Sequence, residues 1–253
     1  MALFTRYKII DLILTLRCNA MCLNCIEFCN MEAVTGVRNN ETDLTMDQVD
    51  HFIRDVKALK TTPGELPAVH TIFLTGGEPT LHPHCGEIFH LIKRELVDQG
   101  FVGSVKLSSN LAARKKIPPE LQPHVVNFVP VDQKAEEHDV TLLHPLDMRK
   151  KPMSFQKCSH FRKNTVAVSC HGYFLCCAGD GYARLFGMDY LFLDHLPKDR
   201  TGFPIDRLDD VCKHCPFPFN SSFPERKHGR PVSKIYSEQA ELNRRGRTIP
   251  KKL

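Results

Sequence analysis

The chain has 253 residues, 42% of them hydrophobic and 25% charged, with a formal net charge of +5. That composition is ordinary for a globular protein and too apolar for wholesale disorder, and no stretch approaches the ~20 uninterrupted apolar residues of a membrane-spanning helix. There are 11 cysteines and no tryptophan. An odd cysteine count without a secretion signal argues against a disulfide scaffold and for thiols that bind metal or do chemistry in a reducing, cytoplasmic setting.

The first segment, MALFTRYKIIDLILTLRC, has a basic start and a short apolar run. It lacks a small-residue cleavage site and is interrupted by Asp11, so residues 7–16 read as a buried strand rather than a signal peptide. A cysteine-rich loop follows to about residue 30, then polar loop over 31–44. Thr45 with Gln48 fits a capping box. Val49, Phe52, Ile53, Val56 and Leu59 then recur at helical spacing, predicting an amphipathic helix over about 46–60. Residues 69–75 read as a second buried strand running into Gly76-Gly77. Residues 86–99 read as a helix stopped by Gly100, and 104–108 as a third strand. A short helix is expected within 111–122, and strands at 125–131 and 140–143. Such alternation implies parallel strands with right-handed crossovers. About five strands are too few to close an eight-stranded barrel, so the expected fold class is α/β: an open, partial parallel (β/α) barrel over residues 1–150. After residue 150 the helical periodicity weakens and cysteines return. A small cysteine-rich β-hairpin/helix annex is expected over 151–219, with a basic tail over 220–253.

Two cysteine groups carry chemistry. Cys18, Cys22 and Cys25 follow the first strand at the spacing C-x3-C-x2-C. Three thiolates on one loop can hold three irons of a [4Fe–4S] cube and leave the fourth open. Ferredoxin-type clusters use four cysteines at other spacings. Structural zinc would want four ligands and C-x2-C pairs, and Cys29 could supply the fourth.

This motif, placed after the first strand, resembles the radical S-adenosylmethionine (radical SAM) superfamily. Gly76-Gly77-Glu78-Pro79 at the end of the second strand resembles that family's GGEP segment. Ser108-Ser109-Asn110 at the end of the third resembles its polar strand end. The resemblance implies that Cys18, Cys22 and Cys25 hold a SAM-binding [4Fe–4S] cluster. It also implies that Gly76, Gly77, Glu78, Pro79, Ser108, Ser109 and Asn110 bind S-adenosyl-L-methionine. Asn24 departs from the aromatic residue usual before the third cysteine. The implied activity is reductive cleavage of SAM to a 5′-deoxyadenosyl radical that abstracts a substrate hydrogen atom, with a reductase such as flavodoxin or ferredoxin as electron donor.

The second group is Cys158, Cys170, Cys176, Cys177, Cys212 and Cys215. The stretch TVAVS…GYFLC reads as a hairpin turning at His171-Gly172. Its cysteines and the distant Cys212-x2-Cys215 pair suit a four-thiolate site, for which zinc-ribbon geometry is the alternative. The segment resembles the twitch domain, a shortened SPASM domain. That implies Cys158, Cys177, Cys212 and Cys215 as ligands of a second, auxiliary [4Fe–4S] cluster in electron transfer, with Cys176 the nearest rival to Cys177. Cys29, Cys85 and Cys170 are left as small buried hydrophobes. The plan is similar to that of the 2-deoxy-scyllo-inosamine dehydrogenases.

Oxidation of an alcohol or amine also needs a base. Asp132, Glu136, His138, His144 and Asp147 are the candidates, Asp132, His144 and Asp147 foremost, and Arg149 could hold an anionic group. Residues 225–253 carry +6, leaving −1 for residues 1–224. The tail is thus either a solvated terminus or a polyanion contact. The expected function is that of an oxidoreductase or isomerase acting on a small polar metabolite. Radical modification of a nucleotide or nucleic-acid base, peptide maturation, and a zinc-binding nucleic-acid module without enzymatic activity stand as alternatives.

Overall fold

A computed structural model describes residues 6–18, 28–29, 43–59, 65–109, 117–127, 144–146, 154–216 and 233–246. Six strands form one mixed sheet: β1 (Tyr7–Thr15), β2 (Val69–Gly76), β3 (Val102–Ser109), β4 (Val125–Asn127), β5 (Thr165–Ser169) and β6 (Gly172–Phe174). Their order is β4-β3-β2-β1-β5-β6. All neighbours run parallel except β5 and β6. β1 sits between β2 and β5, and its Ile10, Leu12, Ile13 and Leu14 are buried. A near-continuous apolar run is what a parallel strand covered on both faces requires.

Helix α1 (Met46–Ala58) starts at the expected capping box. Thr45 Oγ1 accepts from the Gln48 amide, and Gln48 Oε1 accepts from the Thr45 amide at 2.8 Å. Gln48 Nε2 also donates to the Cys170 carbonyl at 3.3 Å, tying the helix start to the β5–β6 turn. Val49, Phe52, Ile53 and Val56 face the core. Helix α2 (Cys85–Ile92) runs into a π-helical turn, Lys93–Val97, and Gly100 follows at φ +80°. Short helices α3 (Ser159–Arg162), α4 (Asp180–Leu185) and α5 (Asp209–Cys212) surround the cysteine annex, and α6 (Lys234–Gly246) closes the chain. Among the described residues no helix is long and apolar enough to cross a membrane.

Several sequence expectations change. Ser169 pairs with Gly172, so the hairpin turns at Cys170-His171 rather than at His171-Gly172. β5 and β6, expected in a separate annex over 151–219, extend the main sheet through the pairing of β5 with β1. The strand expected over 125–131 is described for Val125–Asn127 only. The strand expected over 140–143 and most of the short helix sought within 111–122 lie outside the described residues. Gln122–His124 forms a 3-10 turn.

The basic terminus holds a packed element. Ser233, Tyr236, Ala240 and Asn243 are buried, at spacings of three and four that put them on one face of α6. Tyr236 packs edge-on to Phe28 and obliquely on Tyr182, at 6.0 and 5.6 Å between ring centres. Its hydroxyl donates to the His214 carbonyl, and Asn243 Nδ2 donates to the Leu185 carbonyl at 2.7 Å. The periodicity is hard to read in the sequence because apolar Leu242 points outward and most of the remaining helix is polar. Tyr236→Ala is expected to destabilise the protein by roughly 3–5 kcal/mol, as for other large buried rings. Lys234→Ala, an exposed change on the same helix, should stay within about 0.5 kcal/mol. Urea unfolding of the two variants checks both values.

Candidate functional site

The carboxyl ends of β1, β2 and β3 meet at one place. The Gly77 amide donates to the Thr15 carbonyl and the Glu78 amide to the Arg17 carbonyl, both at 2.8 Å. The end of β2 is thereby spliced to the backbone leading into Cys18. Gly76 has φ +123°, and a β-carbon there would come within 3.0 Å of the Thr15 carbonyl oxygen. One on Gly77 would meet the Arg17 carbonyl just as closely and touch Cys18. Both glycines are therefore required by close backbone approach.

The cysteine loop leaves and returns at this same point. Arg17 pairs with Asp43 at 2.5 Å, and Thr15 Oγ1 donates to Asp43 at 2.5 Å. The Leu44 amide donates to the Leu14 carbonyl at 2.8 Å. His82 locks the far side: Nε2 donates to the Leu44 carbonyl and Nδ1 accepts from the His84 amide. Burial holds the His82 pKa below the usual imidazole range, which agrees with the neutral ring that this pairing demands. Cys18 is half-buried at the start of the loop. Cys22 and Cys25 lie outside the described residues, as does Asn110.

Glu78 is fully buried. Its carboxylate accepts from Thr80 Oγ1 at 2.6 Å and from Ser109 Oγ at 3.0 and 3.1 Å. It thus braces the end of β2 against the end of β3. Ser108 is half-buried beside Ser109, and Pro79 opens the 3-10 turn Pro79–Leu81 behind the motif. Cys85 lies near Glu78, and burial together with that charge pushes its thiol up to about 12. With Cys29 and Cys170 it is buried, as expected of small apolar residues.

The annex assembles a second group. Cys158, Cys176, Cys212 and Cys215 line one pocket walled by apolar side chains that include Phe155, Phe161, Phe174 and Val211. Cys176 has φ +131°, an uncommon backbone for a side-chain-bearing residue that aims it away from its neighbour. Cys177, expected as a ligand, does not line this pocket. Its thiol meets the Asp11 carboxyl, and Thr165 lies beside its sulfur. Spacing from Gly172 could not resolve the pair, because adjacent residues point apart and the turn geometry selects between them. The donor set in the pocket, four thiols in an apolar enclosure, suits a four-iron cluster or a zinc ion. Burial and the neighbouring Cys158 push the Cys176 thiol up to about 12, and burial raises Cys212 further.

The candidate bases divide. Asp132 and Asp147 lie outside the described residues. His144 is buried, its Nε2 3.0 Å from His214 Nδ1 and its Nδ1 accepting from the Leu146 amide. Both ring nitrogens are engaged beside the Cys212–Cys215 pair. Burial, the nearby imidazole of His144 and Lys213 push the His214 pKa down to about 4. Asp11, read from sequence as an interruption of β1, is a further candidate. Burial raises its carboxyl to about 6, opposed by a hydrogen bond from Cys177. The signal was a single carboxylate inside an otherwise apolar strand.

No protein-family model and no curated protein matches this chain. Among solved structures, the crystal structure of BtrN in complex with AdoMet and 2-DOIA is similar at a TM-score of 0.46 and 10% identity. The match covers 84% of this chain and 94% of that one.

The Asp11 shift predicts a pH-dependent stability. Its folded-state pKa lies above the unfolded value of 3.8. Between those values the native state holds the proton more tightly, so stability falls as pH rises through that window and stays reduced above it. Asp11→Asn is expected to stabilise the protein at pH 7–8 by on the order of 1–3 kcal/mol. The gain should disappear below about pH 4. Thermal unfolding of both proteins across pH 4–8 tests this, and a pH-independent difference would contradict it.

Proposed function

We propose that this chain is a radical SAM enzyme with a SAM-binding cluster at Cys18, Cys22 and Cys25 and an auxiliary [4Fe–4S] cluster at Cys158, Cys176, Cys212 and Cys215. The observation that carries this reading is the splice at the strand ends. The Gly-Gly-Glu-Pro segment donates to the carbonyls of Thr15 and Arg17, which lead directly into Cys18, and the Glu78 carboxylate accepts from Ser109. Ligands of parallel α/β sheets bind outside the carboxyl ends of the strands, where Cys18, the Gly-Gly-Glu-Pro segment and Ser109 meet. Ser108, at the end of β3, offers a polar group there suited to the polar end of SAM.

When bound, the cluster and SAM supply hydrogen-atom abstraction from an unactivated carbon; the fold supplies position and exclusion of water. The annex pocket has four thiols of its own, so a metal group there has no vacancy for substrate and suits electron transfer. The favoured substrate is a small polar metabolite.

Anaerobic reconstitution tests the reading. Brown protein with about eight irons per chain is expected, together with reductant-dependent formation of 5′-deoxyadenosine from SAM. Colourless, zinc-loaded protein would overturn it. Replacing Cys18, Cys22 and Cys25 together by Ala should abolish SAM cleavage and leave about four irons. Cys176→Ala should lower auxiliary iron, whereas Cys177→Ala should retain it; the reverse result would restore Cys177 as the ligand.

A further inference from the structure

Away from the cysteines, two histidines and a carboxylate converge. His51 and Asp55 lie one turn apart on α1, and His195 reaches them from the segment after β6. His51 Nε2 is 3.4 Å from Asp55 Oδ2, and His195 Nδ1 is 3.3 Å from Asp55 Oδ1. The two imidazole rings are 4.6 Å apart. One ligand atom from each residue lies within 4.8 Å of the other two, a grouping that no other trio among the described residues achieves. Nitrogen and oxygen donors about 2.0–2.1 Å from a tetrahedral ion stand roughly 3.3 Å from one another. The two histidine–carboxylate separations, one to each oxygen of Asp55, are of that size, and one ligand atom from each residue lies within 4.8 Å of the others, so a small side-chain adjustment would complete the set.

The setting supports a built site. Asp55 is only 13% exposed, and His195, at 72%, leaves one side open to solvent. The Leu196 amide donates to Asp55 Oδ2 at 2.9 Å, fixing the carboxylate and leaving Oδ1 toward His195. Leu193 exchanges backbone hydrogen bonds with Tyr173 of β6 at 2.9 and 3.0 Å, which anchors the segment that carries His195. The Tyr173 side chain also lies by Asp55, whose charge adds to burial in raising the pKa of its hydroxyl. An ion pair needs one histidine; here two, from separate elements, address one carboxylate.

We propose that His51, Asp55 and His195 bind a divalent transition metal of the zinc type and so clamp residues 193–196 onto α1. Two imidazoles and one carboxylate suit zinc, cobalt or nickel, whereas calcium would need six or more oxygens. His51 Nε2 now faces the Asp194 carbonyl at 3.0 Å. On ligation the ring takes the tautomer with its proton on Nδ1, and the carbonyl is released to water or to the metal.

The test uses the full chain, first cleared of loose metal with a chelator and then titrated with Zn²⁺. Zinc and iron per chain are measured by mass spectrometry, and thermal unfolding is followed alongside. One zinc equivalent bound at micromolar concentration is expected, with a rise of several degrees in Tm at a large excess over Kd. His195→Ala, at an exposed position, should fold normally in chelator, weaken this zinc binding at least tenfold and lose the Tm rise, with iron unchanged. His51→Gln should do the same. Zinc uptake that both variants retain, or that requires millimolar metal, would overturn the proposal. Because iron is counted separately, failure of the cluster assignment and failure of this site are distinguishable.

Discussion

The constraint on which the candidate site depends is backbone contact between two parallel strand ends. Gly77 and Glu78 donate to the carbonyls of Thr15 and Arg17, and the approach is too close for a β-carbon at either glycine. Everything downstream inherits its position from that splice. Cys18 begins its loop one residue after Arg17. Glu78 is aimed at Ser109 because its own amide is fixed to Arg17. The Arg17–Asp43 pair and the Leu44–Leu14 bond return the loop to its origin. Residues 18 and 43, on either side of the segment with the three-cysteine spacing, are thus both held to a rigid sheet, and sites on such scaffolds are positioned more accurately than on free loops.

Where local rules decide, the sequence was legible. The Thr45–Gln48 capping box, the apolar stripe of α1, the buried runs of β1 and β2 and the stop at Gly100 all follow from short-range chemistry. Long-range placement was not legible. β5 reads as half of an independent hairpin because TVAVS and GYF are adjacent in sequence, yet its other edge pairs with β1. Nothing in a five-residue apolar run states which strand lies on its second side. The same holds for α6. Tyr236, Ala240 and Asn243 form a narrow stripe among charges, and their burial depends on rings contributed by Phe28 and Tyr182, far away in sequence.

Within the site, motifs located the segments and geometry assigned the residues. In the sequence the Gly-Gly-Glu-Pro segment reads only as a turn whose family resemblance implies ligand binding. The structure shows that its glycines are demanded by neighbouring carbonyls and that its glutamate acts as an internal brace. His144 illustrates the opposite case. A histidine at the end of a strand pattern suggests a base, but its ring nitrogens are engaged by His214 and by the Leu146 amide. It links the segment near residue 145 to the annex instead. Asp11 was visible only as a fault in a hydrophobic run, and its meaning emerged when Cys177 was placed against it.

Under the proposed assignment, one set of side chains in the annex pocket serves two states. Cys158, Cys176, Cys212 and Cys215 sit among phenylalanine and aliphatic neighbours, and burial drives the thiols of Cys176 and Cys212 toward their neutral form. A neutral thiol packs as a small hydrophobe, so the pocket is compatible with folding before any metal arrives. Ligation requires thiolates, and the proton affinity conferred by burial must be overcome by metal–sulfur bonding, with protons released as the site fills. The uncommon backbone at Cys176 separates this role from that of its neighbour. One cysteine turns into the pocket, and the next turns to the central strand and Asp11. A hairpin that shares its edge with the main sheet thereby gives two adjacent thiols different chemical surroundings.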